Sequence, residues 1–98
     1  MNQVSSKLRR VQGGYNHYCP ACKEMHILPD SWQFDGNLSC PTFRPSFKHE
    51  GWVGGGIGVC HYNLVAGKLQ FCDDCSHLMK GQVVDLPDLP EEFRDSNK

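Results

Sequence analysis

The chain has 98 residues, 39% of them hydrophobic, with ten glycines and six prolines, enough for one thin-cored domain and too few for a second. A net charge of −1 weighs against a protein whose affinity rests on a broad basic surface, and no window approaches the roughly 18 apolar residues of a membrane span. Six cysteines and five histidines are the staples available to so small a core.

The opening stretch, MNQVSSKLRRVQGG, lacks an apolar segment of signal-peptide length, which leads to the expectation of a reducing cytoplasm. There, paired cysteines bind metal or do redox work more often than they form bridges. Residues 1–13 are polar and aperiodic and read as a flexible arm. Residues 14–90 read as the folded domain and 91–98 as an acidic tail. YNHYC and KEMHILP flank CPAC, whose Pro20 suits a knuckle between two short strands.

In SWQFDGNLSCPTFRPSF, Trp32 and Phe34 alternate with polar neighbours up to Asp35-Gly36, a hairpin signal. The two prolines of PTFRPSF predict an edge or an ordered loop rather than a central strand. GWVGGGIG is expected to bend sharply or to be mobile. VCHYNLV and KLQFC flank Ala66-Gly67, a short turn. Two short stretches, DCSHLMKG and LPEEFRD, are the helix candidates, with Leu78 and Met79 expected in the core. VVD reads as a last strand. The predicted class is mostly β, a small β-rich α+β domain of zinc-ribbon type with short hairpins and little helix.

A second Cys-X-X-Cys lies at Cys72 and Cys75. Two residues between cysteines let a tight turn aim both sulfurs at one ion about 2.3 Å from each, and thiolate softness favours Zn2+ over magnesium or calcium. The simplest shell is Cys19, Cys22, Cys72 and Cys75. A rival shell mixes cysteine and histidine, drawing one ligand from VCHY (Cys60 or His61) and one from CDDCSH (Cys72, Cys75 or His77). Neighbours on a strand face opposite ways, so Cys60 and His61 are not expected on the same ion. Cys40 reads as an inert thiol, and His17 and His49 as exposed. A thiol-redox role is disfavoured, because CPAC leads into a strand rather than a helix N-terminus.

CPACKEMHIL, WQFDGNLSCPTFRPSF, VCHYNLVAGKLQF and DCSHLMKGQVVDLP together resemble a family of small bacteriophage and prophage proteins, sometimes labelled "ammonia monooxygenase". The resemblance spans about residues 17–90. It implies a phage origin, a compact metal-bound domain and a shell of Cys19, Cys22, Cys60 and His77, with Cys75, Cys72 and His61 as substitutes. The expected function is a phage accessory protein that binds a host protein in the host cytoplasm, with Trp52 as anchor. One alternative is a zinc hydrolase, with Glu24, His26, Asp73 or Asp74 as base and His61 polarising the substrate. The other is a nucleic-acid binder with a patch of Lys7, Arg9, Arg10, Arg44 and Lys48.

Overall fold

The computed structural model describes residues 3–53 and 56–94. Its strands are β1 (Arg9–Val11), β2 (Gly14–Cys19), β3 (Glu24–Pro29), β4 (Gln33–Phe34), β5 (Phe43–Val53), β6 (Gly56–Val65), β7 (Lys68–Phe71) and β8 (Val83–Asp85). They form two antiparallel sheets, ordered β1-β2-β3 and β4-β5-β6-β7-β8. The mostly-β expectation holds. Among the described residues the single helical piece is a 3-10 turn at Glu91–Phe93, and no helix is long and apolar enough to cross a membrane.

The core lies where the sheets face each other. Alternation sends His17 and Cys19 of β2 and His26 and Leu28 of β3 inward, to meet Cys60, Tyr62 and Leu64 of β6 and Leu69 and Phe71 of β7. Tyr15 adds an edge-on contact with Phe43, while Phe34 and Phe43 stack with centroids 4.4 Å apart.

CPAC forms the expected knuckle, closed by a hydrogen bond from Lys23 N to Cys19 O of 2.8 Å. Ala66 and Gly67 turn the β6–β7 hairpin with φ of 51° and 76°, the left-handed pair that a two-residue turn of this hand requires. After Asp35-Gly36 the chain makes a wider loop than a tight hairpin, because Asp35 Oδ1 accepts from the N–H groups of both Asn37 and Thr42.

PTFRPSF is more regular than expected, since Phe43 begins an eleven-residue strand. Pro45 is tolerated because β4 pairs only with Phe43 and Arg44, leaving the rest of β5 as a free edge. The β5–β6 register also slips between Phe43 and Phe47, a bulge that holds Ser46. Of the stretch expected to bend sharply or to be mobile, residues 51–53 and 56–58 are paired strand, and Gly54 and Gly55 lie outside the described residues.

Three expectations are corrected. The arm is docked: Leu8 is fully buried, β1 pairs with β2, and Ser6 O accepts from Leu89 N at 2.8 Å. DCSHLMKG is a chain of turns: Ser76 and Cys75 tie it to Val59 and His61 of β6, Gly81 N–H donates to Phe71 O, and His77 Nδ1 takes the Met79 N–H that a helix would use. Leu78 is 96% exposed, whereas Met79 does pack against the core. The tail is described only to Arg94.

Candidate metal centre

Cys19 ends β2 on its inward face, the knuckle returns Cys22 beneath it, and β6 supplies Cys60 from the opposite sheet. The three sulfurs lie within 4.8 Å of one another, with Cys19 Sγ and Cys60 Sγ 3.8 Å apart, and all three residues are buried. Cys22 N–H points at Cys19 Sγ from 3.4 Å.

Without a cation these thiols cannot ionise together. Hydrogen bonds from Cys22 and Cys60 hold the Cys19 thiol far below its ordinary range. Bonding to Cys19 in turn pushes Cys22 up, and bonding to Cys19 and Cys22 together with burial pushes Cys60 up. Only one anion is tolerated in so small a space, and a bound cation relieves that conflict. The cluster could hold a metal ion.

Two imidazoles flank the sulfurs. His26 Nε2 and His77 Nε2 are both buried without a hydrogen-bond partner among the described residues. Burial lowers the pKa of each, against the opposing pull of Cys19, so both rings favour the neutral form. They differ in what holds the other nitrogen. His77 Nδ1 accepts the Met79 N–H at 3.1 Å, which leaves the ring proton on Nε2.

His26 Nδ1 lies 3.0 Å from the Tyr62 hydroxyl, which in turn lies 2.6 Å from His17 Nε2. Burial raises Tyr62 well above its ordinary value, so it keeps its single proton. With that proton donated to His17, His26 Nδ1–H donates to Tyr62 and the Nε2 lone pair is free. His26 also shares a 4.8 Å cluster with Cys22 and Glu24, whereas His77 joins none among the described residues.

The remaining candidates stand elsewhere. Cys75 is clipped to His61, donating to its carbonyl at 3.1 Å and receiving its N–H at 3.3 Å. Cys72 and His61 group with Asp74 on the outer side of the sheet. The all-cysteine shell therefore does not form, and Cys60 and His61 diverge as strand geometry requires. His17, expected on the surface, is fully buried; its place two residues before Cys19 on the same strand face was the signal.

Trp52 is 57% exposed opposite Ile57, 83% exposed, near the tip of the β5–β6 hairpin. Arg44 is exposed beside β4. The expected basic patch is largely spoken for: Lys7 bonds Leu86 O and Asp88, Arg9 bonds Phe93 O, Arg10 pairs with Asp30, and Lys48 lies near Asp74. No protein-family model matches the chain, and neither a curated protein nor a solved structure shows significant similarity to it.

Proposed function

We propose that the protein is a zinc-stapled accessory module of phage origin that works by docking on a host protein. Cys19, Cys22 and Cys60 bind Zn2+ as thiolates, and His26 Nε2 closes the shell in place of the expected His77. The ion gives the orphaned His26 Nε2 a partner, while His77 stays outside the shell with its Nδ1 accepting the Met79 N–H.

The observation that carries the metal reading is the 3.8 Å separation of Cys19 Sγ and Cys60 Sγ. Sulfurs about 2.3 Å from a tetrahedral ion stand about 3.8 Å apart, whereas a disulfide needs about 2.05 Å. What favours a structural ion over a catalytic one is burial, since the thiols present no open face to water or substrate. The partner reading rests on the exposed Trp52–Ile57 pair, an apolar tip of the kind that fills a partner's pocket, and on the resemblance to phage proteins.

Purified protein should carry one zinc per chain. Its cobalt-substituted form should show thiolate charge-transfer and tetrahedral d–d bands. Cys60→Ser and His26→Ala should lose or strongly weaken the ion, while His77→Ala keeps the tetrahedral spectrum. Metal-free, reduced protein as heat-resistant as the native would overturn the staple. Loss of the spectrum in His77→Ala but not in His26→Ala would overturn the ligand assignment. Trp52→Ala should abolish capture of a host protein that wild type retains; equal capture would remove the hairpin from the interface.

A further inference from the structure

The outer face of the five-stranded sheet holds a constellation separate from the cysteine cluster. Ser46 Oγ lies 3.0 Å from His61 Nε2, and His61 Nδ1 lies 3.0 and 3.1 Å from the two carboxylate oxygens of Asp74. Three remote stretches supply the three groups: the β5 bulge, the middle of β6, and the loop after β7. Nδ1–H bonded to a carboxylate leaves Nε2 as the acceptor for a hydroxyl proton, the arrangement by which a histidine activates a serine.

The geometry points to Ser46 as a nucleophile for acyl transfer from small carboxylic esters, with His61 as general base and Asp74 as the residue that orients it. Ser46 Oγ attacks the ester carbonyl carbon and gives its proton to His61 Nε2. The C–O bond to the alcohol breaks, and the departing oxygen takes that proton. Water then attacks the acyl-serine with His61 again as base, yielding acid, alcohol and free Ser46. The net reaction is ester plus water to acid plus alcohol.

Three features support this assignment. Bulges re-aim side chains beside functional sites, and Ser46 sits where the β5–β6 register slips. The neighbouring donors His61, Cys72 and Asp74 could instead hold a metal. Yet nitrogen and oxygen ligands of a tetrahedral ion stand about 3.3 Å apart, and 3.0 Å is hydrogen-bond length. Finally, Ser46, His61 and Asp74 are all at least partly open, so a small ester can reach them.

The test is covalent labelling of the zinc-loaded chain with a small fluorophosphonate, read by intact mass and peptide mapping. The expected result is one adduct, on Ser46, absent in Ser46→Ala. It should form at least tenfold more slowly in His61→Gln and Asp74→Asn, and at an unchanged rate in Cys72→Ser. Metal content and circular dichroism of each variant should match the parent, which separates lost chemistry from lost fold. No adduct on Ser46, or labelling indifferent to His61, overturns the proposal. So does a second bound metal that disappears in Cys72→Ser, because the imidazole would then be a ligand.

Discussion

Replacing Leu8 by alanine tests whether the N-terminal segment belongs to the domain. Leu8 is fully buried, its carbonyl accepts from Val4 and Ser5, and its N–H donates to Ser5 Oγ. Truncating a buried leucine costs about 2–5 kcal/mol when the surroundings relax only partly. Leu8→Ala, taken at about 3 kcal/mol, should lower Tm by roughly 10–20 °C in a domain of this size. Deleting residues 1–8 should cost more. It strips the Ser6 carbonyl from the Leu89 N–H and removes Lys7 from the Leu86 carbonyl, and an orphaned buried donor adds about 1–3 kcal/mol. Against a total stability of about 5–15 kcal/mol, the deletion should leave the domain marginal. Calorimetry and urea midpoints measure both. A Leu8→Ala midpoint within about 2 °C of the parent would refute the docked segment, since no buried leucine is that cheap to remove.

Burial lowers the pKa of His17 to about 4, from 6.5 when unfolded. The unfolded chain therefore takes up this proton first, so stability is full above pH 6.5 and is lost as pH falls toward 4, by up to about 3 kcal/mol. Denaturant midpoints between pH 7 and 4 should fall less steeply in His17→Gln; equal slopes would show that His17 does not titrate as described. At Gly58, an added Cβ would overlap Ser76 Oγ. Gly58→Ala should displace Ser76 from its bond to the Val59 N–H and cost about 1–3 kcal/mol, with the steric part but not the lost bond recovered in the Gly58→Ala/Ser76→Gly double variant. Failure of the double variant to recover would place the damage elsewhere.

The hairpins were legible because turn chemistry is local. CPAC, Ala66-Gly67 and the VVD strand stand where their residues place them. Leu8 was not legible, because a single apolar residue among SSKLRR carries no periodicity; only the Leu86 to Leu89 segment shows why it is inside. DCSHLMKG misled because its apolar pair suggests a helical face, yet Ser76 bonds to Val59 on β6 and His77 takes the Met79 N–H, so the segment follows the sheet instead of coiling. Pro45 lies on an edge, one of the two places expected for it, and what the prolines did not reveal is the length of the strand, since a proline on an edge with slipped register does not end one.

Cys60 and His61 show how far strand alternation alone can organise chemistry. One residue's rotation separates them, and everything around each follows from that divergence. Cys60 turns inward with Tyr62, so the same face that supplies a thiol also supplies the hydroxyl that holds His26 and His17. His61 turns outward to Ser46 and Asp74. Its backbone nevertheless stays clipped to Cys75, the second half of FCDDC, in the loop that carries Asp74. Loss of a metal ion from the cysteine cluster should therefore disturb the outer triad through β6 itself, because the strand that carries Cys60 on one side positions His61 on the other. Linkage makes the coupling reciprocal, so Ser46→Ala should lower the ion's affinity by no more than the free energy that the ion lends the Ser46–His61 bond, and the site should stay filled.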